Sequence, residues 1–182
     1  PRKDGYVVSQ RMSPEEAADY HRVQIQALAE AGVDLVTAMT MTYPEEASGV
    51  VRAAQNFGLP VVIGFTTETD GRLPDGAALH AAIEQVDQAT GNGPAYYMVN
   101  CAHPDHFSAA LGASETAARR VRALRANASR LSHAELNEAT TLDDGDPAEF
   151  GALHRELRKK YPWISVLGGC CGTDHRHIAA IV

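Results

Sequence analysis

Pro60-Val61-Val62-Ile63-Gly64-Phe65-Thr66 decides the fold. The run is short and nearly continuous in apolar residues, the pattern of a strand covered on both faces by helices. The flanking segments carry helical signals. Upstream, Thr42-Tyr43-Pro44-Glu45 opens a helix whose Ala47, Val50, Val51, Ala54 and Phe57 share one face before Gly58 stops it. Val33 to Met41 reads as the preceding strand. Before it, Ser13-Pro14-Glu15-Glu16 starts a helix with serine as N-cap, proline at the first position and glutamate closing a capping box. Tyr20, Val23, Ala27, Leu28 and Ala31 predict its buried stripe, which Gly32 ends.

The same unit recurs downstream. A loop with Asp70-Gly71 and Asp75-Gly76 leads to a helix over 76–90, followed by a strand from Ala95 to Asn100. A helix from Pro104 to Leu111, a weaker strand from Val121 to Arg125 and an irregular segment come next. A helix from Pro147 to Tyr161 and a strand from Ile164 to Leu167 complete the series. Five strands alternating with helices predict a parallel α/β sheet.

Strand starts recur at roughly 25 to 40 residues and chemically interesting residues sit at strand C-terminal ends, the habit of a (β/α)8 TIM barrel. No Gly-x-Gly-x-x-Gly or Walker loop follows a strand, which removes the main support for a nucleotide-binding open sheet. Five strands do not close an eight-stranded ring. The expectation is an incomplete barrel, a single domain over 1–182, lacking roughly its first three strands on the N-terminal side, since Pro1-Arg2-Lys3-Asp4-Gly5 reads as loop.

Hydrophobic residues make up 45% of the 182, enough for a sizeable core. A formal net charge of −7 disfavours nucleic-acid binding, and the one basic cluster, Arg119 to Arg130, is interleaved with alanines as in a solvated face or a set of internal ion pairs. No run reaches membrane-spanning length, and residues 1–5 lack the apolar core of a signal peptide, so the expected location is cytoplasmic. Three cysteines, two adjacent, do not form a secreted disulfide framework.

All three cysteines end apolar runs. Cys101 follows Tyr96-Tyr97-Met98-Val99-Asn100, and Cys170 and Cys171 lie in Gly168-Gly169-Cys170-Cys171-Gly172-Thr173 after Trp163 to Leu167. Catalytic zinc takes three protein ligands and keeps a fourth position open. In a barrel, thiols far apart in sequence converge at the C-terminal rim, and the glycines at 168, 169 and 172 let two successive side chains reach one ion. The competing readings are small buried hydrophobes, and a redox pair or nucleophilic thiolate; no Cys-x-x-Cys occurs.

Gly168 to Thr173, Val99-Asn100-Cys101 and Ala31-Gly32-Val33-Asp34 together resemble the zinc-dependent homocysteine S-methyltransferases over essentially the whole chain, at the spacing of the later part of their barrel. The resemblance implies that Cys101, Cys170 and Cys171 hold Zn2+. It implies further that a zinc-bound homocysteine thiolate attacks the methyl group of a small sulfonium or quaternary ammonium donor to give methionine. The family's aspartate-glycine motif has no counterpart in these residues, and where many members carry a glutamate for the substrate ammonium, this chain has Met39. Thr40 beside it is in place, and Glu68 offers a substitute charge. Asn100 and Asn127 are further substrate-contact candidates, Asn127 also reading as a loop cap. A divergent enzyme for another thiol, or a non-catalytic zinc-binding fragment completed by a partner chain or oligomer, is the alternative.

Among the histidines, His103 is two residues from Cys101 but would close the site as a fourth ligand, whereas His175 and His177 follow an Asp174 N-cap and belong to a helix start. Leu142 to Pro147 lacks the calcium-loop register and reads as a loop leading into a helix.

Overall fold

The computed structural model describes residues 5–182; the loop expected at the N-terminus falls largely on residues outside that range. Five parallel strands lie side by side in sequence order: β1 Val36–Met41, β2 Val61–Phe65, β3 Tyr96–Asn100, β4 Val121–Ala126 and β5 Val166–Gly169. Between and around them run α1 Pro14–Glu30, α2 Pro44–Asn56, α3 Leu79–Thr90, α4 Pro104–Leu111, α5 Glu115–Arg120, α6 His133–Glu138, α7 Pro147–Lys160 and α8 His175–Ile181. Alternation of strand and helix with every neighbour parallel makes this an incomplete (β/α)8-type barrel lacking its early strands.

The two faces of the sheet differ. Val61, Ile63, Phe65, Tyr97, Val99 and Leu124 join the main core beneath the helices, while Val62, Met98 and Ala123 form a small cluster with Tyr96 on the opposite face. Alternate side chains point to opposite faces, so the second set marks the barrel interior. On the edge strands, Met39 and Val166 are 38% and 44% exposed.

Several sequence expectations need correction. The α1 stripe differs in phase from its expectation: Tyr20, Val23, Ala27 and Ala31 are exposed, Leu28 packs on the core as expected, and the buried residues are Ala17 and Ile25. The phase is set by α2, where Gly49 lets α1 approach so closely that a Cβ there would lie 2.7 Å from the Ala18 amide nitrogen and the Pro14 carbonyl oxygen. Val33 to Leu35 precede β1 rather than join it. Helix α3 starts at Leu79, since Asp75 accepts from the Ala77 amide and holds a turn ahead of it. Strand β5 is displaced two residues toward the cysteines, with Gly168 and Gly169 paired to Arg125 and Ala126. The irregular segment contains α6, started by a Ser132–Glu135 capping box, and α5 precedes β4.

The basic cluster is largely internal pairing: Arg119 meets Glu115, Arg120 meets Asp87, and Arg130 meets Asp105 and Glu149. The acidic loop leads into α7 as expected, with Asp146 capping it and Asp144 bound by Arg176. Asp174 and His177 close a capping box at α8, and His177 Nε2 reaches the Asp144 carbonyl at 2.8 Å.

His154 of α7 is wholly buried, with Nδ1–H donating to the Phe150 carbonyl at 2.8 Å and Nε2 without a partner. Burial holds its pKa below the ordinary histidine value. The unfolded chain therefore binds this proton more readily than the folded one, and stability is full above about pH 6.5 and lost as pH falls below it. His103, pushed down to about 4 by burial, acts with the same sign. Urea midpoints measured from pH 7.5 to 5 should fall toward acid, and His154→Leu should flatten part of that slope; equal slopes would refute the assignment.

Candidate functional site

Two residues at strand ends adopt backbone conformations that ordinary side chains avoid. Thr40 has φ +59° and Cys101 φ +53°, each costing about 1–2 kcal/mol for a residue with a Cβ. The extra residue in β1 is a bulge, because Ala38 pairs with Ile63 and Met41 already pairs with Phe65. In a continuing strand, Thr40 and Cys101 would point away from the face of Met39 and Asn100; the left-handed turns aim them at the rim.

Asn100 holds both turns in place. Fully buried, it reaches from β3 over β2 to β1, where its Oδ1 accepts from the Thr40 amide at 3.0 Å and its Nδ2 donates to Thr40 Oγ1 at 2.8 Å. Thr40 Oγ1 in turn points its proton at Cys101 Sγ, 3.8 Å away. Gly64 clears the path: a Cβ there would lie 2.5 Å from Asn100 Oδ1.

The second side of the site is the loop after β5. The Cys170 amide donates to the Ala126 carbonyl at 2.7 Å, and Asn127 Oδ1 accepts from the Cys171 amide at 3.2 Å. Thr173 turns back to the Cys170 carbonyl through both its amide and its hydroxyl. Two of the three motif glycines are required by space. A Cβ at Gly169 would collide with Thr173, and one at Gly172, where φ is +78°, would lie 2.6 Å from the Asp143 carbonyl oxygen; at Gly168 nothing stands within 4 Å.

These constraints bring together the three sulfurs of Cys101, Cys170 and Cys171, all within 4.8 Å of one another, with Cys101 and Cys170 2.8 Å apart. Cys101 is buried, Cys170 half-buried and Cys171 exposed. The Cys101 thiol is drawn down to about 5 by the hydrogen bond from Cys170, assisted by Asn100, Thr40 and the Tyr6 hydroxyl against the effect of burial. Cys170 is pushed up by that same contact and Cys171 by burial, and the neighbouring thiolate raises both further. One negative charge is welcome here and a second is not. A divalent cation at the centre removes that repulsion and lets all three thiols ionise, so the donor set fits a thiophilic metal such as zinc.

His133 connects the thiols to the rim. Its Nε2 meets the Cys101 carbonyl at 2.7 Å, its Nδ1 meets Glu68 at 3.3 Å, and its ring stacks on Tyr6 with centroids 3.8 Å apart. Glu68 is thus beside the site through His133. His103 caps α4, accepting from the Asp105 amide at 3.2 Å, and is not among the clustered ligand atoms. Beside Cys171 and Gly172 lies a cavity of about 430 Å³ walled by Tyr6, Asn127, His133 and Leu142. Sequence reasoning misses Tyr6 and Arg125, and it places His133 in a cluster with His103, His106, His175 and His177 without giving it a role. Only the capping box at Ser132 marked the helix that presents His133.

A sequence profile described as homocysteine S-methyltransferase matches residues 2–182. The chain belongs to the homocysteine S-methyltransferase family. Two proteins named homocysteine S-methyltransferase 1 are similar to it: one from Brassica oleracea var. italica, 24% identical over 93% of this chain, and one from Arabidopsis thaliana, 23% identical over 94%. The chain spans about half the length of these relatives, 52% of each. Among solved structures, the homocysteine methyltransferase MmuM of Escherichia coli superposes in its metallated form with a TM-score of 0.71 at 19% identity, covering 98% of this chain and 55% of that one. Its oxidized form gives 0.70 at 21% identity, with coverage of 99% and 55%. These likenesses establish the fold of this family member. No helix among its described residues is long and apolar enough to cross a membrane.

The Asn100 bridge yields a direct test. Gly64→Ala should cost about 1–3 kcal/mol, because Asn100 must leave Thr40 or the strands must part. Gly168→Ala, with open space around it, should stay within about 0.5 kcal/mol of the parent. Urea unfolding of both variants measures the difference; equal losses would show that the bridge does not govern the rim.

Proposed function

We propose that this chain supplies the metal and thiol half of a methyl-transfer site that moves a methyl group from a small activated donor to homocysteine, yielding methionine. The observation that carries the reading is the convergence of three thiols on one point at the C-terminal rim of this family's fold. Residues 1–182 are read as one domain, the later part of the barrel. Its free cysteines suit a reducing compartment such as the cytoplasm.

Cys101, Cys170 and Cys171 are assigned as ligands of Zn2+. Held there, zinc would supply the positive charge that favours the thiolate form of a substrate thiol. That matters because a free thiol of pKa near 8.5 is only about 3% ionised at pH 7, a deficit of about 2 kcal/mol. The chain's own residues provide the rest. Asn100 and Thr40 fix Cys101, while Asn127 fixes the backbone of Cys171. The cavity beside Cys171 has room for the donor, walled by the Tyr6 ring and by His133, whose Nδ1 meets Glu68.

Reaction is one displacement. The substrate sulfur forms a bond to the methyl carbon as the donor's carbon–sulfur or carbon–nitrogen bond breaks, and the cationic donor leaves as a neutral thioether or tertiary amine. In-line placement of sulfur, carbon and leaving group supplies the remaining rate.

A second reading is favoured by one observation: Met39 and Val166 stand exposed on the interior faces of the two edge strands. A polypeptide that completes the barrel, in the same chain or in a partner, would cover them, and activity would then require it.

Zinc content and activity decide between outcomes. Cys101→Ser and Cys171→Ser should each lose most bound zinc at micromolar metal, and methionine formation from homocysteine with sulfonium or quaternary ammonium donors should vanish with it. Unchanged zinc in both variants would sink the metal assignment.

A further inference from the structure

Arg125 of β4 lies on the interior face with Ala123, away from the helix-covered core that holds Leu124 and Ala126. Its Nη1 is 3.2 Å from Cys170 Sγ and 3.8 Å from Met39 Sδ, so the guanidinium spans the concave face from β4 to β1 at the edge of the thiol cluster. Three arginines among the described residues are partly shielded from solvent: Arg52, Arg120 and Arg125. Arg52 is paired with Glu15 and Arg120 with Asp87. Arg125 has no carboxylate within ion-pair distance among the described residues; its side chain hydrogen-bonds the Met39 and Cys170 sulfurs, of which only a Cys170 thiolate is an anion. The planar fork of a guanidinium matches an acid group in two-point contact.

The carboxylates near the rim are engaged elsewhere. Glu68 bonds His133, and Asp143 accepts from the Ser129 hydroxyl and the Gly145 amide. Met39, the residue against Arg125, offers nothing to an ammonium group. Among the described residues, the side chains at this edge of the thiol cluster are thus a cation and a thioether.

We propose that Arg125 is the specificity-determining residue of this site and binds the acid group of the thiol substrate, so that the site selects small thiols carrying a carboxylate or sulfonate. The proposal rests on the thiol-binding reading above and names the class of thiol. Homocysteine qualifies through its carboxylate.

The test is thiol binding to the full-length protein loaded with cobalt(II), read as sulfur-to-cobalt charge-transfer absorption without turnover. Mercaptopropionate and mercaptoethanesulfonate, which separate carboxylate from sulfonate, are titrated against mercaptoethanol and cysteamine. The acid thiols should bind roughly 10- to 100-fold tighter than cysteamine, the range of a charge-assisted hydrogen-bond pair. Arg125→Met should abolish that preference, and Arg125→Lys should retain part of it, with cobalt stoichiometry unchanged in both. Acid preference absent in the parent, or intact in Arg125→Met, overturns the proposal. So does an equal weakening of every thiol in Arg125→Met, which would make the guanidinium a counter-charge for the cysteines. If no thiol perturbs the cobalt spectrum, the thiol-binding reading falls together with this proposal; if thiols bind without preference, only this proposal falls.

Discussion

The amide of Asn100, laid across Gly64 onto Thr40, is the contact on which the rim depends. At the rim, Thr40 and Cys101 occupy the left-handed region, and neither would stay there for local reasons. The bridge satisfies the Thr40 amide that the bulge in β1 would otherwise leave unpaired, and it occupies both polar atoms of a side chain wholly removed from water. A shift of β1 relative to β3 would break these bonds in the low-dielectric interior, so the register of the sheet and the position of the Cys101 sulfur are set together. The other two sulfurs are fixed by a separate device, the Cys170–Thr173 turn held against Ala126 and Asn127. Convergence of the three thiols is thus a consequence of strand order. β3, β4 and β5 are successive neighbours, and the ends of β3 and β5 meet over Ala126, the last residue of β4, and Asn127 just after it.

What was legible in the sequence follows from the range of each interaction. The strand–helix alternation, the caps at Ser13 and Asp174, and the thiol positions are local patterns tied to apolar runs, and they emerge in place. The phase of α1 is not local: Tyr20 and Val23 satisfy helical spacing as well as Ile25 does, and the close approach at Gly49 selects between the faces. Strand β5 reads two residues early because Ile164 is apolar and Gly168-Gly169 is not, while the ladder is decided by β4. The contacts of Tyr6 and His133 join segments more than 100 residues apart through a single ring stack, which leaves no periodic trace.

Asn100 was read as a candidate substrate contact, and the structure places both its amide atoms on Thr40. Asn127 likewise directs its carbonyl at the Cys171 amide. Polar residues at strand ends have two uses that sequence alone does not separate, holding the backbone and meeting a ligand. Burial separates them here: Asn100 and Asn127 are inside and bonded to neighbouring backbone, whereas Arg125 and Met39 face the open interior.

That division bears on how such a site can change its substrate. The groups that place the sulfurs are backbone turns, bulges and buried amides, and altering any of them disturbs several others. Arg125 meets the sulfurs of Met39 and Cys170 from the interior face. A thioether at Met39 and a guanidinium from β4 set the charge at the edge of the thiol cluster without taking part in the turns that place the sulfurs. The position of the sulfurs and the character of the surface beside them are physically separable in this fold, because the first is fixed by strand ends and the second by side chains on the interior face.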